Sequence, residues 1–172
     1  VKALKGNYPW VIIIFINFIY WGGFAVRSSS LPYYFKYVLH NEALGSLVLA
    51  GTVITLASTA MVPFAARRLG KRNTMLLGMV GTALSQLVLY LADVAIILTG
   101  IVLYFISYGL TGALIAVMLS DAVDFGEWKN GVRAEGFVTS FSSFSAKLGM
   151  GIGGMVLAAV LAAGGYAASA DG

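Results

Sequence analysis

The sequence predicts an all-α membrane protein with five transmembrane helices. Three observations carry this. Of the 172 residues, 59% are hydrophobic and only 10% are charged, against about 25% charged in an average soluble domain. The apolar residues gather in runs long enough to cross a bilayer. The runs are continuous rather than alternating. Only helices and closed barrels satisfy their backbone in lipid, and continuous stretches rich in Leu, Ala and Met fit helices.

A span needs about 20 apolar residues, each rising about 1.5 Å. The first covers about residues 8–31, with Pro9 suited to an early helical position and Pro32 near the end. The second covers about 43–66, the third 73–92, the fourth 94–119 and the fifth 135–163. No short-period repeat or low-complexity linker divides them, so the chain is one domain or part of one. The chain begins at Val1, and the run after Lys2 and Lys5 is too long for a signal peptide. Five spans leave the C-terminus opposite the N-terminus. The small, polar tail G-G-Y-A-A-S-A-D-G (164–172) reads as a loop before another helix. We therefore expect a segment of a longer protein with a sixth span missing; the alternative is a complete five-span protein.

Charge orients the spans. Lys2, Lys5, Arg67, Arg68, Lys71, Arg72, Lys129 and Arg133 fall on one side, and the other side receives Lys36, His40, Glu42, Asp93 and Asp171. Cations accumulate on the cytoplasmic side, so the N-terminus is expected in the cytoplasm. The net charge of +4 is spread between apolar spans, which reads as topology and excludes a nucleic-acid surface. There is no cysteine and one histidine, which excludes disulfides, thiolate chemistry and a histidine-cluster metal site.

Between the fourth and fifth spans lies S-D-A-V-D-F-G-E-W-K-N-G-V-R-A-E-G, residues 120–136. It holds four of the seven acids, Asp121, Asp124, Glu127 and Glu135, with Lys129 and Arg133. A chain reversal needs far less charge. Mixed signs on one short segment suit an interface that opens and closes, because exposed pairs are individually weak; the plainer alternative is a solvated loop.

Lys147 is the sharpest single residue. If the fifth helix begins near Glu135, Lys147 lies about 18 Å along it, near the middle of a hydrocarbon core about 30 Å thick. An ammonium there costs at least about 2.5–3.5 kcal/mol unless it meets water or a partner. Ser143, Ser140 and Thr139 precede it by four, seven and eight residues and form a polar stripe with it. Hydroxyls and an ammonium suit a polyhydroxylated ligand such as a sugar. Arg27, near the outer end of the first span, either lines a pathway or snorkels to the interface. Asn17, Tyr20 and Trp21 are further pathway candidates. Tyr33, Tyr34, Phe35 and Tyr37 with Lys36 fit an interfacial belt, Gly149 and Gly153 a close helix contact, and Gln86 a contact between helices.

Two stretches carry a family resemblance. D-A-V-D-F-G-E-W-K-N-G-V-R-A-E-G (121–136), followed by a helix bearing Lys147, resembles the glycoside–pentoside–hexuronide:cation symporter family. This is the melibiose-permease branch of the major facilitator superfamily. Y-Y-F-K-Y-V-L (33–39) resembles the outer end of that family's seventh helix. P-F-A-A-R-R-L-G-K-R (63–72) fits the basic loop after its eighth; the wider superfamily carries an acid where Arg67 stands, and this branch tends to carry a base. The resemblance implies that the five spans are helices seven to eleven of twelve. It also implies a sugar substrate, symport with Na⁺ or H⁺ and no organic cofactor. The location it implies is the plasma (inner) membrane. A missing N-terminal half would hold the main cation-site carboxylates and most sugar contacts. Within this chain it places Lys147 near both cation and sugar sites and Ser143 on a nearby hydroxyl position. Asp121, Asp124, Glu127, Arg133 and Glu135 fall on a cytoplasmic loop that closes the inner gate against the other half. Two rivals stand beside it: a non-transporting membrane sensor on the same scaffold, and a membrane enzyme with Asp121, Asp124 and Glu127 as metal ligands. Lys129 and Arg133 weigh against the second.

Overall fold

A computed structural model describes residues 6–37, 40, 46–88 and 94–164. These residues form five helices: α1 (Tyr8–Tyr37), α2 (Ser46–Leu69), α3 (Lys71–Val88), α4 (Val94–Asn130) and α5 (Glu135–Ala163). Lys2, Lys5, Glu42, Asp93, Asp171 and the tail from residue 165 lie outside the described residues. Three of these helices are long and apolar enough to cross a membrane: Tyr8–Tyr37, Ile96–Asn130 and Glu135–Ala163. The other two are more polar. α2 ends on Arg67 and Arg68, and α3 opens on Lys71, Arg72 and Asn73 within 18 residues.

Two boundaries differ from the sequence expectation. α1 does not stop at Pro32 but runs on to Tyr37, so Tyr33, Tyr34, Phe35 and Lys36 are its last turns. Pro32 withdraws only the N–H that the Ser28 carbonyl would otherwise accept, and proline inside a membrane helix is tolerated where neighbouring groups take up the disturbed bonds. The larger correction concerns the acidic segment. Asp121, Asp124 and Glu127 are not on a loop. They ride on α4, which is 37 residues long, or about 55 Å at 1.5 Å per residue. That exceeds a core of about 30 Å, so the charged turns extend the helix beyond the apolar stretch. The chain reversal is confined to residues 131–134. Gly131, at φ 68°, takes the left-handed conformation that ends α4, and its N–H donates to the Glu127 carbonyl (2.8 Å). Gly70, at φ 80°, does the same between α2 and α3, which reduces that connection to one residue.

The helices fall into two compact units. One holds α1, α5 and the α4 turns from Ala122 onward. Here α1 and α5 run parallel: Trp10 meets Phe141 (5.3 Å between ring centroids), and further along both helices Gly22 meets Gly149 and Gly153. Gly149 and Gly153 press on the α1 backbone. A Cβ on Gly153 would stand 2.5 Å from the Gly22 carbonyl oxygen, and one on Gly149 would strike that of Phe18. Small residues give this close approach in lipid, where helices gain nothing from excluding water. The start of α1 is tied to the end of α4. Asn7 caps α1 by accepting from the Trp10 N–H (3.1 Å) and donates its amide to the Ala122 carbonyl (2.8 Å).

The second unit holds α2, α3 and α4 as far as Asp121. α2 runs parallel to α4, with Gly51 beneath Phe105 and Gly109 against Thr55 and Ser58. α3 runs antiparallel to α4, with Gly78 facing Thr111 and Gly81 facing Ser107. Buried Ser58, Thr74, Ser85 and Thr111 return their hydroxyls to backbone carbonyls three or four residues back. Thr111, for example, donates to the Ser107 carbonyl (3.0 Å).

Candidate functional site

α5 divides into three faces at about 100° per residue. The first carries Val138, Ser145, Gly149 and Gly153, all buried, and packs on α1. The second is exposed and apolar: Phe137, Phe141, Phe144, Leu148, Ile152 and Met155. The third is also exposed but holds Thr139, Ser140, Ser143, Lys147, Gly151 and Gly154. The small and polar stripe is therefore neither the packing face nor the oily one.

Lys147 stands at the centre of this third face. α5 begins at Glu135, so Lys147 is about 18 Å along the axis. Among the described residues, no carboxylate or hydrogen-bond partner reaches its ammonium. The Ser143 hydroxyl donates back to the Thr139 carbonyl (3.1 Å), and that of Thr139 to the Glu135 carbonyl (2.9 Å). Both residues are exposed, and a hydroxyl that donates still has lone pairs with which to accept. Ser140 is exposed on the same side. The stripe thus offers one cationic donor and several hydroxyl acceptors with nothing bulky between them. A Cβ on Gly151 or Gly154 would meet nothing within 4 Å.

On α1, Tyr20 is half-buried and packs edge-on against Trp21 (5.6 Å), which in turn meets Phe24 (5.7 Å). Arg27 is buried, at 6% exposed. Asn17, which composition alone placed among pathway candidates, is turned into the α1–α5 seam. Its amide donates to the Ser142 carbonyl (2.8 Å) and hydroxyl (3.2 Å).

At the other end of α5 the charges form a hub. Arg133 donates through Nη1 to Asp124 (3.0 Å) and Glu127 (2.8 Å), and through Nε to Glu135 (3.1 Å). Its pKa is raised, first by the bond to Glu127 and then by those to Glu135 and Asp124, so it stays cationic throughout the working range. The hub joins the tail of α4 to the head of α5 across the short reversal. Four of the five residues expected to act together are therefore in contact. Asp121 is not among them: it pairs with Lys71 at 2.6 and 2.8 Å. Lys129 spans instead to the Gly6 carbonyl (2.9 Å) and lies over the Phe125 ring. The sequence carried Lys71 as a topology signal, and nothing local marked it as Asp121's partner. Among the described residues, no group of three or more His, Cys, Asp or Glu side chains is placed to hold a metal ion.

Three helices of membrane length and apolarity mark an integral membrane protein. The chain belongs to the MFS/sugar transport protein family, which matches residues 1–172. It is 53% identical over 98% of its length to an isoprimeverose transporter of Lactiplantibacillus pentosus, of which it covers 36%. It is 34% identical over 98% of its length to a glucuronide carrier protein homolog of Escherichia coli, covering 38% of that protein. A putative glycoside/cation symporter of the same organism is 29% identical over 99% of the chain, with 38% covered. The chain thus spans little more than a third of the relatives it matches. These relatives place it in the glycoside–pentoside–hexuronide:cation symporter branch. The family and these relatives are transporters and not enzymes, which sets aside the membrane enzyme.

Proposed function

We propose that these helices form part of a secondary transporter that imports a glycoside or related sugar in symport with Na⁺ or H⁺. The division of α5's exposed surface carries the proposal. One face is oily and suits lipid. The other presents Lys147, Ser143 and Ser140 and suits a wet passage, where a mid-helix ammonium is affordable. The five helices correspond to helices seven to eleven of a twelve-helix transporter in the plasma (inner) membrane. A second half of the same protein faces the stripe, and the two halves rock about a midplane site.

Lys147 donates to sugar hydroxyls, Ser143 and Ser140 accept from them or order water, and Tyr20 and Arg27 contribute from α1. Isoprimeverose, named for the 53% identical relative, is the first sugar to test. The coupling ion must be held elsewhere. α1, α2 and α3 contain no acid, Glu135 is α5's sole acid in its first turn, and α4's acids lie in its last turns. A carboxylate that binds Na⁺ or takes up H⁺ at the midplane therefore lies outside these five helices. The Arg133 hub meets that half at the cytoplasmic end and helps close the inner gate.

Uptake of isoprimeverose by the full-length protein in liposomes, under an imposed Na⁺ or H⁺ gradient, tests this directly. Accumulation driven by one of the two gradients is expected. Sugar binding without uptake under either would replace the transporter with a sensor.

A further inference from the structure

We infer that Asn17 is a positioning residue for the sugar pathway: it sets the rotation of α5 about its own axis and so aims the Lys147 stripe. The inference rests on the pathway role proposed above for that stripe, and deepens it.

Polar side chains are costly in an apolar helix and need a reason. α1 has Asn17 near the middle of a run of Ile, Phe, Val and Trp, and the side chain is buried. Its amide nitrogen donates to both the carbonyl and the hydroxyl of Ser142. A second bond crosses the seam in the opposite sense. Buried Ser145, three residues on, donates from Oγ to the Ile14 carbonyl (3.1 Å), three residues before Asn17. The bonds thus bracket one turn of each helix. Each helix contributes one donor and one carbonyl.

The glycine contacts alone cannot fix this angle. Gly22, Gly149 and Gly153 let the two backbones touch, but smooth glycine surfaces slide and rotate. A directional bond does not, because its strength falls steeply away from linearity. Ser142 is also adjacent in sequence to Ser143. Turning α5 by one residue, about 100°, would swing Ser143 and Lys147 out of the pathway face. Smaller rotations matter as well, since a displacement of about 1 Å at a binding group can cost about 100-fold in rate. Asn17 need not touch the sugar to govern its affinity.

The test uses the full-length transporter with one reporter cysteine, Ser140→Cys, in a cysteine-free background. The variant is Asn17→Leu, which keeps the branched shape and removes both bonds to Ser142. Three quantities are read: protein at the cell surface, labelling rate of the reporter by a polar maleimide, and KM and Vmax for sugar uptake without the reporter. An interhelical hydrogen bond in a membrane is worth a factor of about three to fifteen. KM is expected to rise by that factor while surface protein and Vmax hold within about twofold, and reporter labelling to slow or quicken by a similar factor. Ser145→Ala, which removes the second bond, should move labelling in the same direction. Unchanged labelling and KM in Asn17→Leu would overturn the inference. So would loss of surface protein with normal KM in what remains, which marks a brace and not an aim. If Lys147→Ala transports normally, the pathway role fails instead, and the labelling shift still decides whether Asn17 sets the rotation of α5.

Discussion

A lysine halfway along a membrane helix must do something or be lost, because Ala, Leu or Ser at the same place is cheaper in lipid. Lys147 sits on the one face of α5 that is neither packed on α1 nor coated with Phe, Leu and Met. In the full-length protein, Lys147→Ala is expected to lower sugar uptake by about ten- to a hundredfold per molecule at the surface, the range of a lost charge-assisted hydrogen bond. Surface abundance should stay level or rise. Lys147→Arg keeps the charge but replaces three rotatable donors with a rigid planar fork, so it should rescue only partly. Wild-type uptake with unchanged cation dependence in Lys147→Ala would remove this residue from the mechanism. The small neighbours matter for the same reason. Gly154 has open space where a side chain would begin, so Gly154→Leu should leave expression intact and obstruct uptake if the stripe is the passage. Normal uptake in Gly154→Leu would show that the sugar passes elsewhere.

Among the elements, α4 departs most from what local sequence suggests. Its charge was legible at once, since four of seven acids crowd into residues 120–136. Its helicity was less so: acids, Gly126 and an Asn-Gly pair look like a turn. The signal was present in the spacing of Ala122 and Val123 with Gly126, which is buried one turn after them, and this face anchors the arm beside Asn7 and Tyr8. The partners of the charges were not legible. Lys71 and Asp121 are fifty positions apart, and no local pattern reaches that far. Asn17 failed for a related reason. A polar residue in an apolar run reads equally as pathway or seam, and only Ser142 across the interface decides. The rigid arm changes what the hub can do. With Asp124 and Glu127 on α4 and Glu135 on α5, Arg133 locks the angle between two helices instead of tethering a loose loop. Arg133→Gln leaves three carboxylates crowded without their cation. Because the group is exposed, folding should be nearly unaffected. Sugar KM should hold while Vmax changes, and the change should shrink as salt screens the repulsion. An identical Vmax at low and high salt would reduce the hub to a solvated end. Arg133 adds no pH dependence of its own near neutrality. A raised pKa places its contribution at full strength below the ordinary arginine value, and it is lost only as pH climbs through the higher folded one.

At the scale of the whole molecule, helix direction supplies what hydropathy could not. In the first unit α1 and α5 run parallel, and the start of α1 meets the end of α4 through Asn7 and Ala122. In the second unit α2 runs parallel and α3 antiparallel to α4, with Gly70 turning one into the other. Within each unit these directions suit helices that each cross the membrane once, even though α2 and α3 are less apolar than the other three. In each unit, taken alone, cations gather at the end toward which α4 runs. These are Lys129 and Arg133 in the first unit, and Arg67, Arg68, Lys71 and Arg72 in the second. Bases are retained on the cytoplasmic side during insertion, so that end should face the cytoplasm and the Tyr37 end of α1 should face outward. Single cysteines at Asn130 and Tyr37 of the full-length protein test this with a membrane-impermeant maleimide. These 172 residues contain no cysteine, and the rest of the protein is made cysteine-free for the test. In intact cells Tyr37→Cys should label and Asn130→Cys should stay protected until the membrane is opened. The reverse pattern would invert the topology, carry the Arg133 hub to the outer face and end its assignment to the inner gate.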